Sequence, residues 1–338
     1  MHNFVPFLDT RPGVSADKKY KALAGHPGPG DKRTMDVAGK GLHAFFSSDG
    51  IHWKKGKEVI PYRQEWRHAF DSSNVSFWSE AEQRYVCYFR TWTDPDRLRS
   101  VSRTTSEDFV NWTKPVAMDP NLPGEHLYTT QTHPYFHAPH LYIALPTRYV
   151  RGRGNAPEYD KKDVNATDIL LMSSRAGSEH YDRLFTEAYI RPGLNPARWN
   201  NRANYVAQNV VPSGPKEMSI YHRSGDRYTL RTDGFVSVHA GSMAGDLVTK
   251  PIQFLGESLF LNASTSAVGE IRVAILDADG GEIPGFGMEE CKALYGDDLD
   301  LQVAWKNGSE VSSLAGKTVQ LKFQIKECDL FSYRFATE

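Results

Sequence analysis

The chain has 338 residues, with 40 Lys and Arg against 41 Asp and Glu, which gives a formal net charge of −1. This balance argues against a dedicated nucleic-acid binder, which usually carries a basic surplus, and against a disordered acidic tail. No apolar run approaches the ~18–20 residues that a membrane span requires. The 27 Gly and 19 Pro favour turns over long helices, and 12% of the residues are aromatic. We therefore predict an all-β protein.

The N-terminal residues Met1 to Thr10 contain no basic segment followed by a long apolar one. We therefore expect no secretory signal peptide in this chain. The localisation stays open, cytoplasmic by default and secreted if the N-terminus is shortened. The cysteines Cys87, Cys291 and Cys328 lack C-x-x-C spacing, which favours buried thiols over a zinc or redox site. We expect no metal and no cofactor.

A short pattern recurs along the first half of the chain. It reads Ser47–Trp53 in the first copy and Thr105–Trp112 in the second, and Ser173–Gly177 is a weaker third copy followed by Tyr181 in the aromatic position. Each copy predicts a strand, a tight turn and an aromatic residue that opens the next strand. Other strand-like runs surround each turn, so that each unit holds about four short strands, as a β-propeller blade does.

A fourth unit of this kind runs from Tyr205 to His239, and the pattern then stops. We therefore predict four recognisable propeller blades over residues 1–240. The remaining residues, 246–338, contain further short strands separated by turns at Gly280-Gly281 and Lys306-Asn307-Gly308. This spacing predicts a C-terminal β-sandwich.

Two long polar loops, Gly25–Gly41 and Arg151–Thr167, interrupt the predicted blades. They are either solvated connections or functional loops at the rim of the propeller channel, since long loops are often functional.

Carboxylates near the ends of the first strands are the candidate catalytic residues. They are Asp9 after Val5-Pro6-Phe7-Leu8, Asp71 before the second unit, and Glu125 before the third. The innermost strands of a propeller line one funnel, so these side chains are predicted to converge there. Glycoside hydrolysis needs two such carboxylates, one to protonate the leaving oxygen and one to act as nucleophile or to activate water. The alternative is that each one caps a turn or a strand edge.

Polar and aromatic residues at the same strand ends are candidate ligand-binding groups. Aromatic rings could pack on sugar rings, arginines could hold hydroxyl or carboxylate groups, and Glu217 could bind ligand or form a structural salt bridge. The predicted binding residues are Asn74, His126, Tyr128, Arg148, Arg202 and Glu217. The expected partner is a carbohydrate, with no nucleic acid and no membrane, and the oligomeric state stays open.

With these motifs in view, the chain resembles bacterial proteins similar to glycoside hydrolase family 32. That family has a five-bladed β-propeller followed by a β-sandwich. The resemblance covers nearly the whole chain and is specific for fold and family but not for substrate. The stretches that carry it include Asn3–Gly13, Ser48–Trp53, Phe70–Trp78, Glu125–Tyr149, Gly214–Tyr221, Gly269–Gly285 and Leu314–Phe335.

The resemblance implies a glycosidase with three acidic residues. It implies Glu125 as the general acid and Asp71 as the stabiliser of the transition state. The family's nucleophile motif has no counterpart before Asp9, so Asp9 is the base only if its carboxylate reaches the funnel. Two motifs depart from the family: Asp71 stands in Phe-Asp-Ser-Ser-Asn rather than Arg-Asp-Pro, and Glu125 precedes His126 rather than Cys. Only four of five blades are recognisable, so we expect either that the chain lacks the first blade, and with it the acid of that blade, or that four blades close in another way.

Two alternatives stay open at this point. One is a non-catalytic carbohydrate-binding or scaffold protein of the same fold, which a missing first-blade acid would favour. The other is a sialidase-like enzyme, which the Ser-x-Asp-Gly turns suggest and which would need an arginine triad and a tyrosine nucleophile in the funnel.

Overall fold

A computed structural model of the chain describes residues 3–25, 41–63, 66, 69–92, 97–153 and 165–337. Most of each of the two long polar loops, residues 26–40 and 154–164, therefore lies outside the described residues. The described residues form 3₁₀ turns at Ala16–Lys18, Pro196–Arg198 and Ser312–Leu314, and the following strands: β1 (Val5–Leu8), β2 (Tyr20–Gly25), β3 (Leu42–Ser47), β4 (Lys54–Ile60), β5 (Val75–Ser79), β6 (Arg84–Trp92), β7 (Arg99–Ser106), β8 (Val116–Ala117), β9 (His126–Leu127), β10 (His133–Tyr135), β11 (Ala138–Ala144), β12 (Thr147–Val150), β13 (Ala166–Ile169), β14 (Met172–Arg175), β15 (Val211–Gly214), β16 (Glu217–Tyr221), β17 (Arg227–Arg231), β18 (Val238–Ala240), β19 (Gly245–Val248), β20 (Ser258–Leu276), β21 (Asp297–Gln302) and β22 (Gln320–Ala336).

The first eight strands form two antiparallel sheets in chain order. Strands β1-β2-β3-β4 make one four-stranded meander, and β5-β6-β7-β8 make the next. Within the first sheet Val5 pairs with Leu23, and Tyr20 pairs with Ser47. A four-stranded antiparallel meander that is repeated along the chain is the blade of a β-propeller.

The third meander has longer strands, each of which is broken near its middle. Strand β9 pairs with β12, which pairs in turn with β13. Strand β10 pairs with β11, which pairs in turn with β14. The register from Leu141↔Arg175 to Val150↔Ala166 is continuous across the break, which falls at Pro146. Proline interrupts a strand here because it has no N–H to donate to the ladder.

Strand β6 explains how neighbouring sheets pack. Its interior is buried on both faces, so successive side chains enter two different cores. Tyr85, Cys87 and Phe89 lie in the core shared with the first sheet. Val86 and Tyr88 lie in the core shared with the third sheet. This two-sided burial stacks the sheets and fixes their order.

The fourth sheet, β15-β16-β17, lies where the chain divides into two compact units. The first unit comprises Met1–Val211 and Ile220–Tyr228, and the second comprises Pro212–Ser219 and Thr229–Glu338. The predicted domain boundary at residues 240–246 stays a prediction.

The second unit is built on the long strands β20 and β22, which pair along most of their length. Their register shifts between Thr265 and Glu270, which divides β20 into two halves. Apolar side chains of both halves, among them Leu261 and Val273, enter one core together with Phe323. Two strand layers that share a core are the arrangement of a β-sandwich.

The predicted fold class is confirmed: the protein is all-β, with successive small antiparallel sheets of propeller type followed by a sandwich. Cys87, Cys291 and Cys328 are buried free thiols, as predicted. Among the described residues, no helix has the length and apolar character to cross a membrane. Whether a blade precedes these four sheets stays a prediction.

Candidate functional site

A cavity of about 1030 Å³ lies in the first unit, beside the start of β9 and along β12 and β13. Its wall combines carboxylates, arginines and aromatic rings. The chemically important residues that line it are Glu125, His126, Arg148, Tyr149, Arg151, Arg153, Asp168, Glu187, Arg191 and Trp199. The structure therefore brings three of the predicted site residues, Glu125, His126 and Arg148, to one cavity.

Glu125 is the centre of an ion-pair network in this wall, with its side chain 16% exposed. Its Oε1 accepts a hydrogen bond from Arg148 Nη1 at 2.9 Å, and its Oε2 accepts one from Arg183 Nη1 at 2.6 Å. Arg148 also donates to both carboxylate oxygens of Asp168, at 2.9 and 2.7 Å. The Asp168 carboxylate, followed by Glu125, raises the pKa of Arg148 against the opposing effect of burial.

Cross-strand register explains why Arg148 and Asp168 meet. Arg148 on β12 pairs directly with Asp168 on β13, and opposite residues of an antiparallel pair face each other. Asp168 and Arg183 did not stand out in the sequence. Asp168 could have been found by extending the β12–β13 hairpin in register, whereas Arg183 has no such local signal.

His126 provides a neutral hydrogen-bond donor to the cavity. Its Nδ1 accepts a hydrogen bond from the backbone N–H of Arg99 at 3.0 Å. Burial, together with the positive charges of Arg99 and Arg151, lowers the pKa of His126 to about 4. The ring is therefore neutral at pH 7 and carries its proton on Nε2.

The guanidinium group of Arg99 lies in a cage of aromatic rings behind this wall. Its Cζ is 4.5 Å from the ring centroid of Tyr149, 4.6 Å from that of Trp92 and 5.0 Å from that of Tyr128. Stacking on ring faces stabilises a cation. The sequence analysis missed Arg99, because only tertiary packing places these rings around it.

Tyr128 also joins a second polar group, which contains Asp71. Arg90 Nη2 donates to Asp71 Oδ2 at 2.7 Å, and its Cζ lies 5.2 Å from the Tyr128 ring centroid. Tyr128 raises the pKa of Arg202, and Asp71 adds to this effect. The Asp71 side chain is 44% exposed, so a ligand can reach its carboxylate. The structure thus brings Asp71, Tyr128 and Arg202 together.

Asp9 lies in a different environment. It follows β1, whereas Asp71 and Glu125 precede β5 and β9, so it stands at the other end of its strand. Its carboxylate has no exposed surface, forms an ion pair with Lys21 and accepts a hydrogen bond from Tyr85 at 2.7 Å. The role of Asp9 as a base stays a prediction that this geometry does not support.

Asn74 and Glu217 do not line the cavity. Asn74 is fully buried, and its Nδ2 donates to the backbone oxygens of Asn3 and Phe70. Glu217 begins β16 in the second unit, where its Oε1 accepts a hydrogen bond from Ser213 at 3.0 Å. Their binding roles stay predictions. Within the described ranges, no group of three His, Cys, Asp or Glu residues has the arrangement to hold a metal ion.

The sheets of the first unit define a propeller-type protein, and the cavity places polar and aromatic groups beside the start of one of its inner strands. No protein-family model matches the chain, and no curated protein matches it. Solved structures similar to it include a glycoside hydrolase family 32 β-fructofuranosidase of Bombyx mori, at 12% identity and a TM-score of 0.38, with 94% of this chain and 77% of that one covered.

An exo-inulinase of Aspergillus awamori is similar at 11% identity and a TM-score of 0.37, with 99% of this chain and 84% of that one covered. An N-acetylgalactosamine deacetylase of F. plautii is similar at 9% identity and a TM-score of 0.36, with 98% and 89% covered. Family 32 structures are thus among those similar to this chain, as the sequence motifs indicated. The fold described above rests on the sheets of this chain, and none of these likenesses assigns an activity to it.

Proposed function

We propose that this protein is a glycoside-hydrolase-like protein that binds a carbohydrate in the cavity beside β9. The cavity itself carries this proposal. Its volume of about 1030 Å³ lies at the upper end of the ~300–1,000 Å³ typical of small-molecule sites. Its wall pairs aromatic rings with hydrogen-bonding groups, and sugars need both: a ring face for their C–H surfaces and polar partners for their hydroxyls.

Trp199 is the aromatic surface that this proposal uses first. Its side chain is 44% exposed and lines the cavity. The indole Nε1–H donates to the backbone oxygen of Gly193 at 2.8 Å, which fixes the orientation of the ring. An exposed ring that is held in place binds a sugar face at little cost in side-chain entropy.

Binding is tested by titration calorimetry of the full chain against a panel of oligosaccharides. We expect Trp199→Ala to lower the affinity for the best ligand about tenfold, since a lost aromatic contact is worth ~1–1.5 kcal/mol. Leu194→Ala is the matched control, because Leu194 lies before the 3₁₀ turn Pro196–Arg198 that Trp199 follows, and Leu194 is fully exposed. The proposal fails if no oligosaccharide binds, or if the two variants weaken binding equally.

Cleavage of a glycosidic bond is the second candidate function, and the accessible carboxylate of Asp71 favours it. Here Glu125 would supply the acid and Asp71 would stabilise the transition state. Two observations favour binding without cleavage: Asp9 has no exposed surface, and both oxygens of Glu125 are engaged by arginines. A general acid must instead reach the leaving oxygen.

Release of reducing ends from the bound oligosaccharides separates the two functions. If the protein is a glycosidase, Glu125→Gln and Asp71→Asn should each lower kcat by at least ~100-fold, the usual contribution of a positioned acid or base. The control is Glu80→Gln, an exposed residue between β5 and β6. A wild-type chain that binds sugar and releases no reducing ends is a carbohydrate-binding protein.

A further inference from the structure

The charges that line the cavity do not balance. Glu125 and Asp168 are neutralised by Arg148 and Arg183 within the ion-pair network described above. Of the other charged residues that the structure describes in the wall, one is acidic and three are basic: Glu187, Arg151, Arg153 and Arg191. Among the described residues, these three arginines form no ion pair. The described part of the cavity wall therefore carries an excess of positive charge.

Arg99 adds a further cation behind the same wall. Burial, followed by the positive charge of Arg90, lowers the pKa of Arg99, and Arg151 contributes in the same direction. Arg90 is balanced by Asp71, but no carboxylate of the described residues pairs with Arg99. The buried Nε of Arg99 also has no hydrogen-bond partner there. A half-buried cation among other cations costs free energy, and a nearby anion would offset that cost.

The neutral donors of the wall suit the same kind of ligand. His126 carries its proton on Nε2 and lines the cavity beside Tyr149 and Arg151. An imidazole N–H and a guanidinium group both donate hydrogen bonds, and the guanidinium fork matches an oxyanion with two parallel bonds. One part of the wall therefore combines positive charge with hydrogen-bond donors.

We propose that the carbohydrate bound here is acidic and that its carboxylate or sulfate ester group lies against Arg151, Arg191 and His126. This inference rests on the proposed carbohydrate binding and names the substrate class. The oxyanion takes the place of the carboxylate partner that these arginines lack among the described residues, and the rings of Tyr149 and Trp199 take the apolar face of the sugar. Arg99 supports the site from behind through its charge.

Matched pairs of oligosaccharides test the proposal by titration calorimetry on the full chain. One pair is a hexuronic acid oligosaccharide and its carboxyl-reduced counterpart, and the other is a sulfated galactan oligosaccharide and its desulfated counterpart. We expect one acidic member to bind at least about tenfold more tightly than its neutral counterpart. This preference should shrink when the ionic strength rises from about 0.02 to 0.3 M, because salt screens exposed charges. The pair that shows the preference identifies the oxyanion.

Variants locate the preference in the protein. Arg191→Gln removes an exposed cation and should weaken binding of the acidic ligand about five- to twentyfold, and binding of the neutral one by much less. Arg151→Gln should act in the same direction. Arg175→Gln is the control, since Arg175 is exposed at the end of β14 and does not line the cavity. Thermal unfolding midpoints establish that each variant is folded.

The possible outcomes separate this inference from the proposed function. If neutral sugars bind as tightly as their acidic counterparts, the acidic-ligand inference is wrong and carbohydrate binding stands. If Arg191→Gln weakens both members of a pair equally, the oxyanion does not lie against Arg191 and the inference is again wrong. If neither acidic nor neutral sugars bind, both proposals are wrong.

Discussion

His133 shows how burial sets the charge state of a single residue. The imidazole is fully enclosed at the start of β10, where its ring Nδ1 lies 2.9 Å from the backbone oxygen of Gln131. Its Nε2 accepts a hydrogen bond from the backbone N–H of Val210 at 3.1 Å, so the neutral ring joins two segments of the first unit. Burial lowers the pKa of His133 to about 4.

This geometry predicts how stability depends on pH. An unfolded histidine takes up its proton near pH 6.5, whereas folded His133 resists protonation until about pH 4. The unfolded state therefore binds more protons in this window, and the free energy of unfolding should fall as the pH drops from about 6.5 to 4. The contribution of His133 is on the order of 3 kcal/mol.

Urea unfolding between pH 4 and 7.5 measures this dependence. His133→Gln should flatten it, and it should also lower stability at pH 7 because the new side chain cannot reproduce both hydrogen bonds. His140→Gln is the control, since His140 is exposed on β11. An unchanged pH dependence in His133→Gln would contradict the assignment.

Asp9 is a second case in which the surroundings decide the role of a residue. Its carboxylate pairs with Lys21 between the first two sheets, and Lys21 Nζ also lies 3.2 Å from the Tyr85 hydroxyl oxygen. Burial lowers the pKa of Lys21 even though Asp9 acts in the opposite direction. A charged pair enclosed in this way is costly to break, because removal of one partner leaves the other buried alone.

At the scale of elements, the repeated turns share one hydrogen-bond pattern. In the first turn, Ser47 Oγ accepts a hydrogen bond at 2.9 Å from the backbone N–H of the residue three positions later. Asp49 Oδ1 accepts two hydrogen bonds, each at 2.8 Å, from the backbone N–H groups two and three positions later. The second turn repeats this pattern: Ser106 Oγ accepts its hydrogen bond at 2.9 Å, and Asp108 Oδ1 accepts its two at 2.8 and 2.7 Å. The side chains satisfy backbone donors that the tight turn leaves without partners.

Asp108 is therefore expected to stabilise the turn that follows β7. Its backbone hydrogen bonds hold the pKa of Asp108 at about 2 against the opposing effect of burial. Asp108→Ala should lower the free energy of unfolding by about 1 kcal/mol, as the loss of a capping side chain does. Asp108→Asn keeps the Oδ1 acceptor and serves as the matched control. Urea unfolding at pH 7 checks both, and equal losses in the two variants would assign the effect to charge rather than to the turn.

At the scale of the molecule, the two compact units have separate apolar cores. Phe323 is fully buried in the core of the second unit, and Leu23 is fully buried in a core of the first. A compact unit with its own core is expected to unfold as a cooperative transition of its own. We predict two transitions for this protein.

Scanning calorimetry of the two core variants checks this prediction. Phe323→Ala should destabilise the second unit by about 3–5 kcal/mol and move only one transition. Leu23→Ala should destabilise the first unit by about 2–5 kcal/mol and move only the other. If both variants shift one common transition, the chain unfolds as a single cooperative unit.

Much of the local structure of this protein follows from its amino-acid pattern alone. The Ser/Asp turns and the frequent Gly and Pro predict short antiparallel strands, and such strands form on either side of the first two repeated turns. The Ser47–Trp53 and Thr105–Trp112 turns could be predicted because their hydrogen bonds join residues only two or three positions apart. Glu125, His126 and Arg148 could be singled out because they stand at the ends of such strands.

Only the tertiary structure decided which of these residues share a site. Asp9 and Asp71 look alike in the sequence, yet packing between sheets encloses Asp9 with Lys21 and leaves Asp71 accessible. Arg99 looks like an ordinary strand residue until rings from three separate segments of the chain surround it. Burial and charge are summed over neighbours that lie far apart along the chain, so local pattern carries no record of them. The propeller-type strands could therefore be predicted from the sequence, whereas only the packed fold brings together the positive charges in the described wall of the cavity.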